Sequence, residues 1–291
     1  MSRLAPYVFA GGTAVVTGAA SGMGEQLAHQ LAARGSTVVL VDRDAERLAT
    51  VVRAVRAACP EVAVASHVVD LAETERIAEL AALILADHPR PTLLLNNAGV
   101  ALAGRFDQIG LADLDWVMRV NFTAPVTLTH HLLPALLASP GSHIVNTSSL
   151  YGLLAPAGQT AYSASKFALR GFSQALAAEL LDRGVGVTTV HPGGIRTQIA
   201  KTARIGAGVS AAQAQTQLRG AGRLLTYPAE RAAAEFLTAV ERRRARLLIA
   251  PTATIPDLLI RLLPVGHARL LRAATRMFER GGSGRPAPRH G

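Results

Sequence analysis

The chain has 291 residues, 49% of them hydrophobic but only 4% aromatic, and a formal net charge of +10. That length supports one full α/β core built from Ala, Leu and Val, and the single cysteine, Cys59, excludes an internal disulfide or a cysteine metal cluster and reads as a small buried thiol. Residues 1–200 sum to −1 and residues 201–291 to +11, which argues against a nucleic-acid-binding core and sets the last third apart.

In chain order, a β-rich run at 13–17 leads into a glycine cluster. Residues 22–34 read as a helix stopped by Gly35, 37–41 as a buried strand and 45–58 as a helix. A strand at 62–69 precedes a helix at 73–87 that opens with acidic residues. The strand at 92–95 runs into Asn96-Asn97-Ala98-Gly99. A long helical stretch covers 111–137. It is followed by a strand at 143–147, a helix at 161–181, a strand at 185–190, a helix at 229–242 and a last strand at 246–249. The strands are continuous apolar runs, as expected where helices cover both faces. This predicts a Rossmann-like α/β fold, a doubly wound parallel sheet of about seven strands with right-handed crossovers and extra C-terminal helices.

The first strand ends in Thr17-Gly18-Ala19-Ala20-Ser21-Gly22-Met23-Gly24. Glycines let the backbone turn tightly against a pyrophosphate, and the following helix offers free N–H groups and the positive end of its dipole. An ordinary Gly-rich turn is the bland alternative; the strand–turn–helix context in the first unit favours a phosphate site, with Ser21 and Met23 among its candidates. Asp42 ends the second strand. A carboxylate there accepts from ribose hydroxyls and repels a 2′-phosphate, which points to NAD over NADP. Arg43 pulls the other way, since a guanidinium can compensate a 2′-phosphate. Asp70 and Leu71, after the third strand, stand where they can reach the adenine, although Asp70 reads equally well as a cap.

Tyr162-Ser163-Ala164-Ser165-Lys166 puts a phenol and an ammonium one helical turn apart on one face. A cation held close lowers a phenol's pKa from roughly 10 and makes it a usable general acid/base. A solvated Tyr/Lys pair is the bland reading, but the chain has only two lysines, Lys166 and Lys201, and uses arginine almost everywhere else. Its four asparagines, Asn96, Asn97, Asn121 and Asn146, are equally sparing.

Taken together, Thr17-Gly18-x-x-x-Gly22-x-Gly24, Asn96-Asn97-Ala98-Gly99, Asn121, Ser148-Ser149, Tyr162-x-x-x-Lys166 and Pro192-Gly193 resemble the short-chain dehydrogenase/reductase family, in order and at the right separations, across residues 12–249. The resemblance implies an NAD(P)-dependent oxidoreductase acting on an alcohol or ketone. It implies that Tyr162 donates and accepts the proton, that Lys166 lowers its pKa and holds the nicotinamide ribose, and that Ser149 bonds the substrate oxygen. It further implies that Asn121 sits at a break in the long helix, holding a water that links Lys166 to solvent. The resemblance also implies that Asn97 steadies the central strand near the adenosine, with Ala98 and Gly99 beside it at the cofactor, and that after Pro192 and Gly193, themselves among the cofactor-binding positions, Ile195 and Thr197 bind the nicotinamide amide. Gly194 after Gly193 is a small departure from the pattern. A homodimer or homotetramer through the helices at 111–137 and 161–181 is also implied.

Residues 1–250 are then one catalytic domain, with 196–226 as a mobile lid. Substrate choice is expected at 150–158, where Leu153, Leu154 and Ala155 make an apolar wall and Tyr151 either contacts substrate or packs, and at His191. No metal site is signalled; His130-His131 reads as helix surface. Beyond the core, an apolar helix at 258–263 is followed by a basic amphipathic segment within 251–280, and 281–291 reads as a disordered tail. Those helices either pack on the core or a second subunit, or attach to an anionic membrane surface. No stretch approaches the ~20 apolar residues of a membrane span, and the first residues do not read as a signal peptide, so the expected location is cytoplasmic. Two rival functions remain: an NADPH-dependent reductase of 3-ketoacyl thioesters, and a non-catalytic dinucleotide-binding or membrane-surface protein.

Overall fold

The computed structural model describes residues 4–266; the basic segment at 269–280 and the tail at 281–291 lie outside the described residues. The first half alternates β1 (Thr13–Thr17), α1 (Gly22–Ala32), β2 (Thr37–Asp42), α2 (Ala45–Ala58), β3 (Val64–Val68), α3 (Ile77–Asp87) and β4 (Leu93–Asn96). A two-residue strand β5 (Leu102–Ala103) then precedes α4 (Leu111–Met118), α5 (Ala124–Leu137), β6 (His143–Thr147), α6 (Thr160–Glu179) and β7 (Gly186–Pro192). The chain continues through β8 (Arg204–Ile205), α7 (Ala211–Leu224), α8 (Ala229–Glu241), β9 (Arg246–Ile249) and α9 (Pro251–Leu262).

Seven strands form one parallel sheet in the order β3-β2-β1-β4-β6-β7-β9, in agreement with the predicted fold class. Burial explains the apolar runs. Along β1, Ala14 and Val16 pack into the layer made with α1, α2 and α8, whereas Val15 packs into the layer made with α3, α5 and α6. Both faces are therefore covered, and alternation disappears from the sequence. At the sheet edge β3 is the most open strand of the seven, with Val64 buried and Ser66 and Val68 exposed, and it is shorter than its apolar run suggested.

Several element boundaries shift for identifiable reasons. The helix expected at 73–87 begins as a 3₁₀ turn, Thr74–Arg76, before α3. The long stretch at 111–137 is interrupted by a π-helical turn, Arg119–Thr123, that contains Asn121. The weakly patterned lid region gains β8, paired with β5, and α7, a helix rich in the strong helix formers Ala and Gln. The short helix expected at 258–263 starts earlier, because Pro251 occupies its first turn and Pro256 is tolerated inside it. Among the described residues, no helix is long and apolar enough to cross a membrane.

Candidate active site

The strand order reverses between β1 and β4, and a cavity of about 220 Å³ opens there, outside the carboxyl ends of β1 to β4. Gly18, Ser21, Met23, Asp42, Arg43, Asp70, Leu71, Asn97, Ala98, Gly99 and Thr197 all line it. Gly18 has φ +68°, a conformation that L side chains rarely adopt, and a Cβ on it would lie 2.8 Å from Ala98 Cα. A Cβ on Gly24 would lie 1.9 Å from Gly18 O, so Gly24 serves close loop–helix packing and does not line the cavity. Gly22 backs onto the Thr197 side chain. Thr17 Oγ1 accepts from the N–H groups of Asn97 and Ala98, and Asn97 Nδ2 donates to Thr17 O at 3.0 Å, tying the two strand ends together.

The Asp42 carboxylate accepts the backbone N–H of Ala20 at 2.9 Å and that of Asp44 at 3.0 Å, which fixes it at the cavity wall. Arg43 sits 3.6 Å from Asp70, whose other oxygen accepts from Ala72 N. Asp70 therefore makes a local cap and also lines the cavity. Nothing caps the start of α1 with a side chain: Ser21 occupies the N-cap position without making that bond, leaving backbone donors free for an anion.

The second group lies on α6 and after β6. Ser149 caps a 3₁₀ turn, Leu150–Gly152, accepting from Tyr151 N at 3.1 Å, and its hydroxyl is hydrogen-bonded to the Tyr162 phenol. Ser148 is turned away, donating to Lys166 O at 2.9 Å. Lys166 Nζ donates to Thr147 O at 2.9 Å and lies 5.8 Å from the Tyr162 ring centre. Asn121 is wholly buried. Its Oδ1 accepts from Val100 N, and its Nδ2 donates to Val100 O and Ser165 Oγ. Its side chain thus ties the π-helical turn to the β4–β5 connection and to α6. Gly99 joins the two groups: it lines the cavity, and a Cβ on it would lie 3.2 Å from Lys166 Nζ and 3.3 Å from Asn121 Oδ1.

One expectation is reversed. Tyr162 keeps a partly exposed ring but its hydroxyl end is enclosed, and burial pushes its pKa up to about 12 despite the Ser149 hydrogen bond. Burial likewise brings Lys166 down to about 7. Helical spacing carries no information about desolvation, which is the largest cause of both shifts.

The substrate-side expectations also change. His191 is buried, with Nδ1 3.1 Å from Ser149 O, and burial lowers its pKa to about 4. It supports the serine from behind rather than facing a substrate. Leu153 and Leu154 are buried in the core, and Ala155 is exposed. Tyr151 packs edge-on to Tyr162 with ring centres 6.1 Å apart. Pro192 ends β7, Gly193 abuts α9, and Ile195 is buried and bridged to Tyr227. Sequence reading missed Ala20, Asp44, Arg47, Gln198, Ile199 and Thr202 as cavity wall. Asp44 and Arg47 follow directly on Asp42 and could have been found as the same turn; Gln198 to Thr202 carry no local signal.

A model of the short chain dehydrogenase family matches residues 12–207. The chain belongs to this family. It is similar to the putative oxidoreductase SadH of Mycobacterium tuberculosis, 37% identical over 276 residues, which cover 93% of this chain and 97% of that one. Among solved structures, a short-chain dehydrogenase/reductase from Burkholderia phymatum in complex with NAD superposes with TM-score 0.78 at 30% identity, covering 88% of this chain and 96% of that one. A short chain dehydrogenase from Burkholderia cenocepacia in complex with NADP gives TM-score 0.72 at 30% identity, covering 85% and 100%. The protein is an oxidoreductase of this short-chain dehydrogenase type, and its relatives bind one or the other nicotinamide dinucleotide.

Proposed function

We propose that this short-chain dehydrogenase moves hydride between NAD(H) and a hydrophobic secondary alcohol/ketone pair, with Tyr162 as general acid/base. The observation that carries the reading is the convergence of Tyr162, Ser149 and Lys166 behind Gly99, which itself lines the cavity at the β1/β4 reversal. That cavity fits the cofactor: uncapped helix donors suit a pyrophosphate, and Gly18, at its wall, keeps a side chain out of its path. The bound nicotinamide supplies the hydride acceptor or donor.

The chain's own groups manage the proton. In reduction, the neutral Tyr162 phenol gives its proton to the carbonyl oxygen, which Ser149 Oγ holds by a hydrogen bond as negative charge develops. In oxidation, the substrate hydroxyl returns that proton to the Tyr162 oxygen as hydride leaves the carbinol carbon. Lys166 stands close enough to favour the phenolate whenever it carries its own proton. The buried cluster of Leu102, Trp116, Val117 and Val120 beside Ala161 gives this end of the site an apolar flank, which favours a hydrophobic substrate. Arg204 stacks on Trp116 at 3.6 Å and anchors the start of the proposed 196–226 lid over it.

NAD is preferred over NADP because Asp42 is held by two backbone N–H groups and retains acceptor capacity for ribose hydroxyls, while Arg43 is already beside Asp70. Parallel titrations with NADH and NADPH, followed by nicotinamide fluorescence, test this; tighter NADH binding is expected. Tighter NADPH binding would put the 3-ketoacyl-thioester reductase in front, and binding of neither would end the dehydrogenase reading.

A peripheral membrane contact is favoured by one feature. Ile255, Leu258 and Leu262 are exposed along α9 beside the exposed Arg261, while Ala253 and Asp257 face inward. Salt-sensitive binding to phosphatidylserine vesicles is expected; indifference to them at low salt would eliminate it. Exposed Leu111 and Phe167 on α4 and α6 favour self-association there, and a monomer by light scattering would contradict it.

A further inference from the structure

The helix α9 lies beyond the residues matched by the family model, yet it touches the turn on which the proposed nicotinamide-binding residues hang. Gly194 N donates to Thr252 Oγ1 at 2.8 Å. Gly193 makes room for the helix: a Cβ on it would lie 2.3 Å from Thr252 Oγ1 and 2.9 Å from Ala253 N. From this turn the chain runs outward, with Gly194 O accepting from Tyr227 N at 3.0 Å and Arg196 N donating to Tyr227 O at 2.8 Å. Two residues on, Thr197 sits against Gly22 and lines the cavity.

The helix is firmly placed for such a role. Its inner face carries Asp257, which pairs with Arg246 on β9 and, at 3.0 Å, with Arg261. Its start is set by Ala250 at φ +72°, a left-handed conformation that a non-glycine residue adopts only when its surroundings demand it. The backbone of Gly194 also matters for its N–H. A residue with a backbone N–H is required at 194, and a proline there would remove the donor that Thr252 accepts.

We infer that Thr252 is a positioning residue for the nicotinamide end of the cavity: its hydroxyl fixes the Gly193-Gly194 turn and, through it, Ile195 and Thr197. This rests on the dinucleotide reading above. The hydroxyl touches neither cofactor nor substrate, so its loss acts on how tightly the nicotinamide half is held and leaves the adenosine half, bound near Asp42, alone.

The test compares Thr252→Val, which keeps the shape and removes the hydroxyl, with Thr252→Ser, which keeps it. Each is titrated with NADH and with ADP-ribose, and its melting temperature is measured. Thr252→Val is expected to weaken NADH binding about tenfold while ADP-ribose binding changes less than about twofold, and Thr252→Ser to stay within about threefold of wild type for both. Wild-type NADH affinity in Thr252→Val would overturn the inference, as would a parallel loss of NADH and ADP-ribose binding with a fall in melting temperature. Failure of Thr252→Ser to rescue would also overturn it. A wild-type protein that binds neither nucleotide would instead sink the dinucleotide reading, and this inference with it.

Discussion

At the ends of β2 and β3 the charged groups stay wet. Arg43 and Arg47 are at least half exposed, their partners Asp70 and Asp44 stand 3.6 and 3.4 Å away, and Asp42 is pinned by backbone rather than by a countercharge. After β6 and β7 the titratable groups are dry: Tyr162, Lys166 and His191 all move toward their neutral forms because burial penalises charge. The wet end can select a ligand by charge, at energies that salt screens. The dry end cannot hold a resting ion cheaply, so it can store a proton at Tyr162 and pass it only when a reacting oxygen arrives. The two ends thus differ in water content, with Gly99, at the cavity wall and close to Lys166, between them.

Breaking the dry end should have the largest effect. Lys166→Met is expected to lower turnover about 10²- to 10⁴-fold. The same change should raise the melting temperature at pH 7.5 by a few degrees. The sign follows from the pKa. Lys166 titrates at about 7 in the folded chain and near 10.5 when unfolded, so between those values the unfolded chain binds the proton that the folded chain refuses. The cost is complete below pH 7 and fades as pH rises to 10.5. A variant that loses activity and melts lower would mean that the lysine is a net stabiliser.

A smaller effect belongs to His143, buried between Arg243 at 3.0 Å and Thr188 at 2.8 Å and held down to about 3 by burial and by the Arg243 charge. Between pH 6.5 and about 3 the unfolded chain takes up a proton that the folded chain does not. Stability should therefore fall with acid, by up to about 1.4 kcal/mol per pH unit for this group. His143→Gln should show a shallower decline of melting temperature between pH 6.5 and 4 than wild type; an identical slope would place the acid sensitivity elsewhere, with His191 the next group to examine.

The contrast between wet and dry also marks what could be read from the sequence. The α/β alternation was legible because each crossover carries its own period, and the bounds expected at 13–17, 45–58, 143–147 and 246–249 coincide with β1, α2, β6 and β9. The glycine turn and Asp42 were legible because their function lies in contiguous residues. Gln198, Ile199 and Thr202 were legible only as part of the 196–226 lid and not one by one, since they reach the cavity through the return of the chain after β7. Asn96 and Asn146 were singled out by scarcity, yet they form a buried ladder, Asn96 to Asn146 at 2.8 Å and Asn146 to Ser173 at 2.9 Å, that braces β4 and β6 beneath the site. The burial of His191 and its contact with Ser149 O were not legible, because a strand-end residue's facing depends on register. The protonation preferences of Tyr162 and Lys166 were out of reach for a different reason: they depend on how much water the fold removes, which no spacing encodes.

The central claim is that Tyr162 passes the proton, and Tyr162→Phe tests it most directly. NADH affinity and the steady-state rate with a panel of hydrophobic secondary alcohols and their ketones would be measured side by side with wild type. The account predicts NADH binding within about threefold of wild type and a rate lower by about 10³-fold or more. An unchanged rate with a substrate that wild type turns over well would show that the proton travels by another group.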